Sequence, residues 1–233
     1  MLEKLKQEVY EANMYIYNNN LITLTWGNVS GLDESGQFMV IKPSGVDYNS
    51  LKPSDMVVVS LDSAKVVDGL LNPSSDTLTH LYLYKNFKGI KGVVHTHSTY
   101  ATSFSQAEKS LEALGTTHAD TFYGTIPCTR GLTKEEIENG YELNTGKVIV
   151  EAFKDKDYLA VPGVFVKGHA PFTWGTSPLT AAKNSLILEE ISKMAFITKS
   201  LNKDIKELDK NVLDKHYNRK HGKSAYYGQK ENN

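Results

Sequence analysis

The sequence predicts an α/β domain in which helices flank an antiparallel-rich sheet. Three observations carry that expectation. Short β-branched and aromatic runs cluster between residues 21 and 67 with little helical periodicity between them, which favours hairpin-type pairing over the strand–helix alternation of a parallel sheet. Amphipathic helical spacing marks the first stretch of the chain and the region beyond Pro178. The 233 residues carry 40% hydrophobic and 23% charged side chains, enough to bury one core, and no repeat or linker divides them. The whole of 1–233 is therefore read as a single domain, with 214–233 as a C-terminal tail.

Each element has its own signal. Leu2, Leu5, Val9, Ala12 and Ile16 recur at three- and four-residue steps, and Asn18-Asn19-Asn20 ends the helix they define. Residues 21–29 and 38–41 read as strands joined through Gly31-Leu32-Asp33-Glu34-Ser35-Gly36. Strands follow at 56–61 and 65–67. Pro73-Ser74-Ser75-Asp76 opens a helix carrying Leu78, Leu81, Tyr82 and Phe87, with Asp76 placed to favour the positive end of its dipole. A short strand follows over residues 92–98, carrying His95 and His97. Thr133 and Glu136 form a capping box for a short helix near Ile137. Residues 145–153 fit two patterns: Val148-Ile149-Val150 suits a strand, whereas Ile149, Ala152 and Phe153 have helical spacing. The last strands are 164–166 and 172–174. One long helix starts at Pro178 and passes Leu186 and Met194, and another carries Ile205, Leu208, Val212 and Leu213.

The composition narrows the function classes. A formal net charge of −1 offers no general attraction to nucleic acid or to anionic membranes. A single cysteine, Cys128, cannot form an internal disulfide and suits a reducing compartment. Glu3, Lys4, Lys6 and Glu8 interrupt any signal-like apolar run, and no window approaches a membrane span, so a cytoplasmic protein is expected.

The chemistry concentrates in Gly92-Val93-Val94-His95-Thr96-His97-Ser98. Side chains alternate along a strand, so His95 and His97 project to the same side. They are either two polar residues satisfied at a strand end or half of a metal site. His169, in Lys167-Gly168-His169-Ala170-Pro171, is by itself a turn histidine. Together with the other two it completes a three-histidine set that leaves a divalent ion an open position. Zinc is the expected ion, and manganese or cobalt also suits imidazole. Three polar, glycine- or serine-containing stretches lie at element ends: Gly27-Asn28, Lys42-Pro43-Ser44-Gly45 and Ser74-Ser75-Asp76. Each reads as a turn or cap; together they suit a phosphorylated small molecule. Asp120 and Glu142 are isolated acids. His216 and Tyr227 lie in a basic, polar tail whose adjacent tyrosines suit docking on a partner.

In combination these stretches resemble the class II aldolase/adducin family. The matching residues are Thr25-Trp26-Gly27-Asn28-Val29-Ser30, Lys42-Pro43-Ser44-Gly45-Val46-Asp47, Pro73-Ser74-Ser75-Asp76-Thr77, His95-Thr96-His97-Ser98 and Gly115-Thr116-Thr117-His118-Ala119-Asp120. Residues 121–130, Leu213-Asp214-Lys215-His216-Tyr217 and Tyr226-Tyr227-Gly228 point within it to the epimerase branch, which inverts C4 of a pentulose 5-phosphate. The resemblance runs from Met1 to Gln229. It implies a three-layer α/β/α fold on a central antiparallel-rich sheet. It also implies a homotetramer with active sites between subunits, a sugar-phosphate substrate and a place in pentose catabolism such as that of arabinose. It implies zinc on His95, His97 and His169, with Asp76 nearby or as fourth ligand. Substrate contacts fall on Gly27, Asn28, Lys42, Ser44, Gly45, Ser74 and Ser75. Acid/base roles fall on Asp120 and Tyr227, the tyrosine reaching in from a neighbouring subunit, and Glu142 and His216 lie near the reacting atoms. Two other expectations compete: a sugar-1-phosphate aldolase of the same family, and an adducin-like scaffold without catalysis.

Overall fold

The computed structural model describes residues 1–223 and 225–227. Seven strands form one sheet in the order β4-β3-β2-β1-β5-β7-β6, with every neighbouring pair antiparallel. They are β1 (Asn28–Leu32), β2 (Phe38–Ile41), β3 (Val57–Ser60), β4 (Val66–Asp68), β5 (Gly92–His95), β6 (Gly163–Phe165) and β7 (Pro171–Gly175). The helices are α1 (Glu3–Asn18), α2 (Thr77–Asn86), α3 (Thr99–Gln106), α4 (Thr116–Ala119), α5 (Lys134–Glu138), α6 (Tyr141–Glu151), α7 (Pro178–Leu201) and α8 (Lys210–His221).

Strand alternation sorts the core into two layers around the sheet. Val29 and Val94 face α1 and α7, packing with Ala12, Ile16, Ala181 and Ala182, and Val40 and Val58 join Val9 on the same side. Val93, Met39, Ile41, Val57 and Val59 face the opposite way, onto Leu81 and Leu83 of α2, Phe87 just past its end, and Ile149 of α6. The expected antiparallel-rich sheet between helical layers is thus the observed architecture. No helix among the described residues is long and apolar enough to cross a membrane.

Several local expectations need correcting. Residues 21–27 are not strand: Leu24 and Gly27 take positive φ values of 55° and 102°, so the chain turns before pairing begins at Asn28. Leu78 is exposed, and the buried face of α2 carries Thr77, Thr79, His80, Leu81, Leu83 and Tyr84 instead. Asp76 stands at the α2 N-cap without a side-chain capping bond. The 145–153 ambiguity resolves as helix α6, and the Thr133/Glu136 capping box is present. Ile205 and Leu208 precede α8 rather than belonging to it. Helix α3 had no local signal; its first amides, Tyr100 N and Ala101 N, donate to the Glu189 carboxylate of α7 at 2.9 and 2.8 Å. Capping by a residue some ninety positions away leaves no mark at the helix itself.

Candidate active site

The cleft forms where β1, β5 and β7 end on the α2 side of the sheet. Antiparallel pairing sets Asn28 opposite His95 and His95 opposite Phe172, which brings the first phosphate-type turn and the histidine strand side by side. Gly27 is required at this seam. A Cβ there would meet Ile22 Cδ1 at 2.7 Å and the His95 carbonyl oxygen at 2.8 Å, and its φ of +102° strains any other residue.

His95 is buried, stacks on Phe172 with ring centroids 4.2 Å apart, and donates from Nδ1 to the carbonyl of Pro171 at 3.0 Å. A carbonyl cannot donate, so Nδ1 carries a proton, and Nε2 is the ring nitrogen that is left to serve as a metal ligand. That nitrogen lies 3.1 Å from His97 Nε2. His97 sits just past the end of β5, on the side expected from alternation. His169 follows β6 in a tight turn in which its N–H donates to Val166 O and Gly168 takes φ +68°. The ligand-capable atoms of the three histidines all lie within 4.8 Å of one another. Burial, reinforced by the neighbouring imidazoles, lowers His97 and His169 to about 4, so both are neutral at pH 7.

This donor set fits a divalent ion. Two imidazole nitrogens bound to one tetrahedral zinc stand roughly 3.3 Å apart, near the spacing found, and three imidazole ligands leave a position open. Asp76 lies beside the histidines without belonging to their cluster. Its Oδ2 accepts from Asn28 Nδ2 at 2.7 Å. Burial pushes its carboxyl up, but His95, His80 and the Asn28 hydrogen bond outweigh that and leave it below the ordinary aspartate range.

The remaining wall is built from two paired loops. Ser44 N donates to Asn72 O and Ser74 N to Lys42 O, and Pro43 bridges Pro73, so segments 42–45 and 72–75 are held edge to edge. Asn28 Nδ2 also reaches Ser74 Oγ at 3.0 Å. Lys42 departs from a simple phosphate lysine. It is buried, its Nζ donates to Val46 O at 2.8 Å and Pro43 O at 3.3 Å, and it lies over the Tyr48 ring. Burial lowers it to about 8. The geometry makes Lys42 a brace for the 43–46 turn as well as a charge at the cleft.

The cleft encloses about 550 Å³, and all eight residues assigned there from the loops and α6 line it: Gly27, Asn28, Lys42, Ser44, Gly45, Ser74, Ser75 and Glu142. Asp76 and the three histidines line it too. Asp120, His216 and Tyr227 do not. They gather at a second place, where α8 packs on α4. The Asp120 carboxylate accepts from Arg219 at 2.8 and 2.9 Å, His216 Nδ1 lies 3.1 Å away, and Lys220 Nζ 3.3 Å. Burial raises the Asp120 carboxyl, and these partners more than offset it, holding it below its usual range. Tyr227 covers Arg219 and Lys220 with its ring, at 4.9 and 4.4 Å, and is 60% exposed. Among the described residues of the tail, Tyr226 and Tyr227 turn back onto α8, each donating its N–H to Arg219 O. Gly228 and residues 229–233 lie outside the described residues.

One cleft residue escaped the sequence reading. Tyr141, the first residue of α6, lines the pocket and places its hydroxyl 3.3 Å from His169 Nδ1. Its neighbour Glu142 drew attention as an acid, but nothing in the spacing ties position 141 to 169.

Fold and cleft together define an α/β protein with a three-histidine site suited to metal-assisted chemistry on a small polar ligand. Comparison with known proteins gives that class its family. Residues 7–196 match the family described as the class II aldolase and adducin N-terminal domain, and the chain belongs to this family. Among solved structures it is similar to an L-fuculose 1-phosphate aldolase, at 25% identity and a TM-score of 0.77, over 93% of this chain and 95% of that one. YgbL of Escherichia coli, named as an aldolase/epimerase/decarboxylase, aligns at 24% identity and a TM-score of 0.71, over 91% and 97%. A third, an L-fuculose 1-phosphate aldolase from Glaciozyma antarctica PI12, aligns at 19% identity and a TM-score of 0.74, over 93% and 81%.

Proposed function

We propose that this chain is an L-ribulose-5-phosphate 4-epimerase, a metal-dependent isomerase interconverting L-ribulose 5-phosphate and D-xylulose 5-phosphate. The observation that carries the reading is the second cluster. Two acid/base candidates, Asp120 and Tyr227, meet around Arg219 together with His216, away from the cleft of their own chain. That arrangement suits a site completed between copies of a homotetramer, each cleft receiving the α4/α8 cluster of a neighbour.

The substrate explains the need for both halves. The C4 proton of a 2-ketopentose is not adjacent to the carbonyl and is a poor acid, whereas the C4 hydroxyl is β to it, so C3–C4 can break by retro-aldol cleavage. A divalent ion held by His95, His97 and His169, with Asp76 beside them, would act as a Lewis acid on the substrate oxygens, worth several kcal/mol. Asn28, Ser44, Gly45, Ser74 and Ser75 grip the phosphate, on loops that Lys42 braces. One of Asp120 and Tyr227 takes the C4 hydroxyl proton as the bond breaks. The glycolaldehyde phosphate turns while its phosphate stays held, and the bond re-forms on the other aldehyde face. The opposite group then returns a proton to the new C4 oxygen, giving inversion. Glu142, which lines the cleft, and His216, which contacts Asp120, are assigned supporting roles near these transfers.

A second reading is favoured by the similarity to an L-fuculose 1-phosphate aldolase. A true aldolase would release both fragments. Incubation with L-ribulose 5-phosphate separates the two: D-xylulose 5-phosphate as the main product supports the epimerase. Free glycolaldehyde phosphate and dihydroxyacetone would make the chain an aldolase. Absence of bound divalent metal, with no gain on adding it, would leave the scaffold reading.

A further inference from the structure

We infer that Tyr141 is a positioning residue for the metal site, accepting the Nδ1 proton of His169 and so turning the Nε2 lone pair of that ring into the cleft. The inference rests on the reading of the three histidines as a metal site. A ligating imidazole needs its outer nitrogen protonated and held, because that bond selects the tautomer and fixes the ring plane. His95 has such a partner in the Pro171 carbonyl. For His169 the group at that position is the Tyr141 hydroxyl, 3.3 Å from Nδ1, with the two rings inclined at 48°. A hydroxyl can donate or accept, so it is compatible with either tautomer; a cation bound at Nε2 leaves only the arrangement in which Tyr141 accepts.

The position of Tyr141 is fixed more firmly than that of an ordinary half-exposed tyrosine. Thr145 Oγ1 donates to its carbonyl at 2.8 Å, and Thr79 Oγ1 of α2 donates to the carbonyl of Glu142 at 2.6 Å. One turn on, Gly146 lets α6 approach α2 so closely that a Cβ there would lie 2.8 Å from the Tyr82 Cβ. Asp76 is the N-cap of helix α2. The same two-helix contact therefore sets the aspartate beside the histidines and the tyrosine behind one of them.

Tyr141→Phe removes the hydroxyl and keeps the ring. Metal binding is read by chelator competition with zinc and by the visible spectrum with cobalt(II) as probe. The variant is expected to bind zinc about tenfold more weakly, within the 10–100-fold typical of losing such a partner, and to shift the cobalt bands. The thermal midpoint of the metal-free protein should stay where it was, which a merely structural role would not allow. In the zinc form, the Nδ1 proton of His169 should exchange faster with solvent by NMR. Equal affinity and an unmoved cobalt spectrum would overturn the role of Tyr141 while leaving the three-histidine site standing. A wild-type chain that takes up neither zinc nor cobalt would overturn both.

Discussion

The cleft and the α4/α8 cluster are built on opposite plans. The cleft draws its groups from the ends of three paired strands and two braced loops, and backbone carbonyls and amides fix most of them: Pro171 O holds His95, Lys42 O holds Ser74, and Val46 O holds Lys42. His97 and His169 there are held neutral by burial. The cluster is held almost wholly by side chains carrying full charge, with Arg219 and Lys220 on Asp120 and Tyr227 lying over both cations. A site fixed by backbone can be complete in one chain. A site held by long charged side chains at a half-exposed surface keeps a face open for something else, and on the proposed reading that face meets a neighbour's cleft.

Breaking the cleft should have the largest effect. His97→Asn replaces an imidazole by an amide, a poor metal ligand; bound zinc should fall from one per chain to a trace, and turnover by roughly a thousandfold or more. Elemental analysis and a steady-state assay check it. Full metal retention would take His97 out of the ligand set. Breaking the cluster should spare the metal and still stop the reaction. Tyr227→Phe is expected to lose roughly 10²–10⁴ in turnover with zinc content unchanged. Mixing the two variants then sharpens the comparison. If each cleft borrows a neighbour's cluster, hybrids regain part of the activity, because some sites combine an intact cleft with an intact tyrosine. A mixture as inactive as its parts would place both halves in one chain.

The smallest effect concerns what lies beneath each region. His80, behind the cleft, is lowered to about 3, and His118, on α4 beneath the cluster, to about 4, both chiefly by burial. Below their unfolded pKa of about 6.5 the unfolded chain binds protons that these rings refuse when folded, so stability falls as pH drops from about 6.5 toward 4. Each such ring contributes a slope of at most about 1.4 kcal/mol per pH unit. His118→Gln keeps a donor for the Gly124 carbonyl, which His118 Nε2 meets at 2.7 Å, and removes the titration. Melting curves of the metal-free proteins should show the variant losing less stability across that window; parallel curves would deny His118 any part in it.

Much of the cleft was legible because its residues announce themselves locally: glycine before asparagine, serine pairs at a helix start, and histidines two apart in an apolar strand. Strand β2 emerged at its observed bounds, residues 38–41, from four apolar residues bounded by a turn and a proline. What stayed hidden depends on distant partners. The first turn of α3 is capped from α7, Tyr141 meets His169 across the cleft, and α8 is anchored by the pairing of Arg219 with Asp120. Residues 21–27 misled in the opposite direction. Their β-branched and aromatic content suits a strand, but left-handed backbone at Leu24 and Gly27 rules it out.

The register of the sheet has a kinetic consequence. The histidine strand pairs position 95 with 28 on one side and with 172 on the other, so the ligand set straddles two of the most distant pairings in the sequence. Such contacts carry a large loop-closure cost and form late. The hairpin of β1 and β2 can assemble early, but His169 can join His95 and His97 only once β7 has docked on β5. Metal capture during refolding should therefore report the final closing of the sheet, making zinc uptake a clock for the last step in reaching the native chain.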